Sequence, residues 1–108
     1  MPGPDLNDSE LFHQQCYIDG QWVDADSGAT LEVDNPATGD ILGTVPNLGR
    51  DETRRAIEAA DRAFGTWKRM TAAERGDLLR RWHDLMMVHQ EDLGRLMTLE
   101  QGKPLAEA

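Results

Sequence analysis

The stretch "ILGTVPNLGRDETRRAIEAADRAFGTW", residues 41–67, changes its period part-way along. The apolar and β-branched run "ILGTV" reads as a short strand. From Arg50 the repeat lengthens from about 2 to about 3.6 residues, the period of a helix. Ala56, Ile57, Ala60, Ala63, Phe64 and Trp67 then fall on one face, with Asp51 and Glu52 at the positive N-terminal end. Strands before this point and helices after it define an α/β chain.

Upstream, "CYIDGQWV" places Asp19-Gly20 between two runs rich in aromatic and β-branched residues, the signature of a two-residue hairpin with positive φ in the turn. A second hairpin is expected from "LEV" and "ILGTV" flanking "DNPATGD", where Pro36 fixes φ and Gly39 accepts a conformation other residues resist. Residues 1–15, polar and rich in proline and glycine at the start, read as a mobile tail preceding a single unit over 16–108.

Downstream, Thr71 and Glu74 stand three apart as a capping box that starts a second helix, whose buried stripe would be Leu78, Trp82, Leu85 and Met86. "EDLGRLMTLEQG" presents Leu93, Leu96 and Met97, and Gly102 is suited to end that third helix in the left-handed conformation. "PLAEA" reads as the first turn of another.

The 108 residues fit one domain able to bury roughly two-thirds of its unfolded surface. A formal net charge of −9 repels nucleic-acid phosphate and anionic lipid, so neither nucleic acid nor membrane is expected as a partner. The first fifteen residues have neither the apolar run of a secretory signal nor the basic residues of a transit peptide. A single cysteine cannot form an internal disulfide, and the expected compartment is the cytoplasm.

The residue patterns that could carry chemistry fall short of known sites. Cys16 opens a predicted strand with only His13 nearby and reads as a packed residue rather than a nucleophile. His13, Cys16, His83 and His89 match no usual zinc spacing. Asp24 and Asp26 alternate as in a calcium loop, but Gly28 falls one position early, so a solvated turn is expected. Gly102-Lys103 resembles the end of a phosphate loop, yet Met97 and Pro104 occupy the positions of its first glycine and its Ser/Thr. No catalytic, cofactor-binding or metal-ligating residue is assigned within 1–108 on these grounds.

Longer strings carry a resemblance. "YIDGQWVDADSGATLEVDNPATGDILGTVP", "AIEAADRAFGTWKRMTAAERGDLLRRWHDLM" and "LMTLEQGKPLAEA", in this order, resemble the amino-terminal region of the aldehyde dehydrogenase superfamily over about residues 12–108. "NPATG", "RGDLLRRW" and "TLEQGKPLAEA" are most similar to the NAD(P)-dependent succinate-semialdehyde dehydrogenases.

The resemblance implies an enzyme several times longer, of which this chain is an N-terminal portion that would be inactive alone. It also implies oxidation of an aldehyde through a cysteine thiohemiacetal with NADP or NAD as hydride acceptor, a homo-oligomer, and a nucleophile, base and cofactor residues beyond position 108. Some members of the superfamily hold a monovalent cation with groups matching the backbone oxygens of Val33 and Asp34 and the carboxylate of Glu100. Glu100 reads more simply as a carboxylate near a helix end, and no metal is assigned. Two other readings are a non-catalytic interaction module with contacts through Trp67, Trp82 and Leu85, and a short homologue working beside a separate remainder.

Overall fold

The structure, a computed structural model, describes residues 3–108. Two antiparallel hairpins come first. Strands β1 (Cys16–Ile18) and β2 (Gln21–Val23) pair with Tyr17 opposite Trp22. Asp19 (φ 53°) and Gly20 (φ 75°) both take positive φ, as the tight primed turn requires. The Tyr17 and Trp22 rings lie 5.0 Å apart and tilted by 53°, a favourable cross-strand aromatic pair.

Strands β3 (Thr30–Asp34) and β4 (Ile41–Pro46) form the second hairpin, with a bulge between Val33 and Asp34. Its loop is held by the side chain of Asn35, which accepts from the Ala37 N–H at 2.9 Å, and by the Asn35 N–H donating to the Asp40 carbonyl at 2.8 Å.

Helix α1 (Arg50–Trp67) follows, then α2 (Ala72–Val88) and α3 (Gln90–Gln101). The α2 capping box forms as expected: Thr71 Oγ1 accepts from the Glu74 N–H at 3.2 Å, and Glu74 Oε2 from the Thr71 N–H at 2.8 Å. His89 is both the last cap of α2 and the first cap of α3. Gly102 ends α3 at φ 83°, the left-handed conformation glycine adopts without penalty. Beyond it Pro104 leads into one tight turn at Leu105–Glu107, a 3-10 turn at the place where the sequence suggests a helix start.

These elements do not close around a common core. The radius of gyration is 16.6 Å, against about 13 Å for a compact domain of this length. The accessible surface is 8203 Å², against about 6,000 Å² for a compact monomer of this mass. Among the described residues the only buried apolar side chains are the small ones of Ala25 and Pro46. The expected α2 stripe corrects accordingly: Leu78, Trp82, Leu85 and Met86 do share a face, but all are exposed, Trp82 by 62% and Leu85 by 61%. Helical spacing states which side chains share a face; burial also needs a covering surface, and among the described residues Leu11 and Leu93 meet only the edge of this stripe and leave it exposed.

The opening segment has partners. Asn7 and Asp8 reach α3, Phe12 and Gln14 lie on β4, and His13 stacks on Trp22 with ring centroids 3.6 Å apart. A Cβ at Gly43 would meet Gln14 Oε1 at 2.6 Å and Phe12 Cζ at 2.8 Å, so the segment crosses β4 where only glycine leaves room. The Thr44 N–H donates to Gln14 Oε1 at 2.9 Å, which satisfies part of the otherwise open strand edge. Met1 and Pro2, the first residues of the expected tail, lie outside the described residues.

Candidate functional site

The two strings that the superfamily resemblance pairs, the Asn35-Pro36 turn and the end of α3, are neighbours. Gly102 lies against Pro36 so closely that a Cβ there would stand 3.0 Å from Pro36 Cγ. Glycine is therefore required at this junction twice, by its φ and by the ring it faces. The junction brings the bulged end of β3, with Val33 half-buried and Asp34 exposed, toward the last turn of α3, where Glu100 is exposed.

A bulge takes a residue out of the regular ladder, and oxygen donors of this kind suit a hard cation. Two backbone oxygens and one carboxylate nevertheless make a sparse shell. Among the described residues no three His, Cys, Asp or Glu side chains converge on a common point.

The other sequence candidates are dispersed. Cys16 is half-buried at the first position of β1, opposite Val23. His13 stacks on Trp22, His83 Nδ1 lies 3.1 Å from Asp84 Oδ1, and His89 sits at the α2–α3 junction. Asp24 accepts from Gln15 Nε2 at 3.2 Å, and Asp26 takes both its bonds from Arg55 Nη2, at 2.8 and 3.0 Å. The alternating aspartates thus belong to a turn fastened to α1.

Two carboxylates that sequence reasoning treated only as helix-end charges, or passed over, do more. Gly49 caps α1 without a side chain, and the Glu52 carboxyl lies back over the cap, near the backbone N–H groups of Gly49 and of Glu52 itself. Hydrogen bonds from its own N–H and that of Gly49 hold the Glu52 carboxyl below the usual carboxylate range, against the opposing effect of burial. Glu52 also accepts from the Asp26 N–H at 3.2 Å, which ties the turn after β2 to α1.

Asp92, in the first turn of α3, is 2% exposed. Burial pushes its pKa up, yet the N–H groups of Asn7 and Asp8, donating at 2.8 Å each to Oδ1 and Oδ2, outweigh burial together with the nearby charges of Arg95 and His89. The net direction is down. Its exposed neighbour Glu91 pairs with Arg95 at 2.6 Å and accepts from Asn7 Nδ2 at 3.3 Å.

Residues 22–108 match the profile of the aldehyde dehydrogenase family. The chain belongs to the aldehyde dehydrogenase family. It is 64% identical over 103 residues to a glutarate-semialdehyde dehydrogenase of Pseudomonas aeruginosa, covering 95% of this chain and 21% of that protein. It is 62% identical over 103 residues to the succinate-semialdehyde dehydrogenase [NADP(+)] of Escherichia coli, again 95% of this chain and 21% of the relative.

The fold agrees with that of a solved aldehyde dehydrogenase, the succinate-semialdehyde dehydrogenase from Burkholderia pseudomallei, at a TM-score of 0.92 and 53% identity, covering 96% of this chain and 22% of that one. The chain thus spans about a fifth of the length of the relatives it matches. The hairpins and helices described above are an α/β portion of the aldehyde dehydrogenase fold, and among the described residues no helix is long and apolar enough to cross a membrane.

Proposed function

We propose that the chain serves, within an enzyme of the relatives' length, the NAD(P)-dependent oxidation of a semialdehyde, with succinate semialdehyde as substrate, in a cytoplasmic homo-oligomer. The observation that carries this reading is 62–64% identity along nearly the whole chain to two semialdehyde dehydrogenases whose substrates differ by one methylene. A nicotinamide cofactor would accept the hydride. Residues 1–108 would supply architecture rather than chemistry: the exposed faces of α1 and α2 are surfaces for the rest of the enzyme to cover.

Replacing the corresponding fifth of the Escherichia coli relative by residues 1–108 tests the architectural part. The chimera is expected to oxidise succinate semialdehyde with NADP+, while the purified 108-residue chain yields no NADPH. An inactive, aggregated chimera would count against it, as would turnover by the chain alone that disappears in Cys16→Ser.

Substrate is tested separately in the whole enzyme that carries this chain. An aldehyde with a distal carboxylate should exceed an uncharged aldehyde of equal length in kcat/KM by about thirty-fold or more, the separation expected of a pocket built around a buried charge. Equal values would remove the carboxylate from the specificity, and preference for glutarate semialdehyde would reassign it by one methylene.

A further inference from the structure

The opening segment combines many polar contacts with little apolar burial. Leu11 and Phe12 are its half-buried large side chains beyond Leu6, and its hold on α3 rests on hydrogen bonds. Two of those bonds converge on one group, while Asn7 Nδ2 reaches Glu91 at 3.3 Å and the Asp5 carbonyl accepts from Arg95 Nη1 at 3.5 Å. Both oxygens of Asp92 are taken by consecutive backbone N–H groups, and the charge of the carboxylate strengthens each bond. Asp8, immediately beside this contact, turns its own carboxylate to the Glu10 N–H at 3.0 Å and so starts the tight turn at Ser9–Leu11. That turn delivers Leu11 to one wall of a groove of about 320 Å³, whose other walls are Trp82, Leu85, Met86, His89 and Leu93 on α2 and α3.

We propose that residues 5–14 form a strap whose principal latch is Asp92, with weaker bonds to Glu91 and Arg95 beside it, and that opening the latch withdraws Leu11 from the edge of the α2–α3 groove. The far end of the strap is fastened independently, by Phe12 over Gly43 and by Gln14 on the Thr44 N–H, so the near end can open while the far end stays in place. Segments with few buried apolar contacts open locally at far lower free energy than the elements they cover. An unlatched carboxylate would leave the two N–H groups without their charged acceptor. The inference stands on the contacts of this chain and is independent of the enzymatic reading.

The test is a coupling measurement on the 108-residue chain. Alkylation of a thiol at position 11 (Leu11→Cys in a Cys16→Ser background) and exchange of the Asn7 and Asp8 amides report the open state. Asp92→Asn keeps the shape but points an amide donor at a backbone donor, and should accelerate both by about tenfold or more. Deleting residues 1–8 removes the latch's partners and should accelerate alkylation at position 11 to the same extent. In the deleted chain Asp92→Asn should then have no further effect.

Equal effects of Asp92→Asn with and without residues 1–8 would show that Asp92 acts only on the start of α3, and would overturn the proposal. Should Asp92→Asn lose its helical circular dichroism, the deletion alone decides: unchanged alkylation at position 11 overturns the latch, and acceleration upholds it.

Discussion

The two halves of this molecule are held together by different physics. At the end where the strap, β4 and α3 meet, Gly43, Pro46, Asp92 and Gly94 are buried, and the contacts are hydrogen bonds between residues as many as 90 positions apart. Along α1 and α2 the side chains that should form a core stand in solvent, Ile57 by 64% and Phe64 by 57%. Long-range polar fastening can order a region with little apolar burial, whereas an amphipathic helix without a covering surface has only its local propensity and caps to stabilise it.

The sharpest way to break this contrast is to truncate the exposed stripe. In the isolated chain, Leu85→Ala and Trp82→Ala should each change stability by no more than about 0.5 kcal/mol, as surface substitutions do. In an enzyme of the relatives' length they should cost about 3–5 kcal/mol, as for a core residue. Denaturant unfolding of both forms measures the difference, and equal costs in the two would mean that α2 stays uncovered in the enzyme as well. The isolated chain should accordingly show helical circular dichroism, a weak near-ultraviolet signal and dye binding, and a dye-free cooperative transition would favour the interaction-module reading.

Acid should reach the fastened half first. The carboxyls of Asp92 and Glu52 are both held below the usual carboxylate range in the folded chain. Their contribution is therefore complete above that range and fades as pH falls through the lowered values. The groups facing Asp92 are Arg95, Glu91 and His89 on its own side and Asn7 and Asp8 on the strap. Amide exchange followed from neutral to acidic pH should show Asn7, Asp8 and Asp26 losing protection before the interior of α2. Loss in the reverse order would contradict the assignment of these carboxylates as fasteners.

The smallest effect is expected at a cap. Thr71→Ala removes the acceptor for the Glu74 N–H and should lower helix stability by about 1 kcal/mol, seen as fraying of the first turn of α2 with the strap undisturbed.

What the sequence revealed follows the same division. The Asp19-Gly20 turn, the Thr71–Glu74 box and the Gly102 stop are encoded by neighbours within a few residues, and each was legible without a structure. The Val33/Asp34 bulge, the glycine demanded at position 43 and the partners of Asp92 were not, because each depends on a segment brought in from elsewhere in the chain. Glu91-Asp92 could be read as acid suited to the start of a helix, which says nothing of two backbone amides arriving from positions 7 and 8. The Pro36–Gly102 junction was legible only through family resemblance, since spacing alone cannot place residues so distant side by side.

The shared cap at His89 has a mechanical consequence. Helix α2 contains 17 residues, a rod of about 25 Å at 1.5 Å per residue. With its inner end fixed at His89, a rotation of about ten degrees there would carry the Ala72 end through about 4 Å. Residues 68–71 join that end to α1, which is itself anchored near its start through Glu52 and Arg55 to Asp26. The two helices are thus the bars of a linkage pinned at both extremities and joined by a hydrogen-bonded turn, and a small change of angle at one histidine would become a larger excursion of the exposed apolar faces.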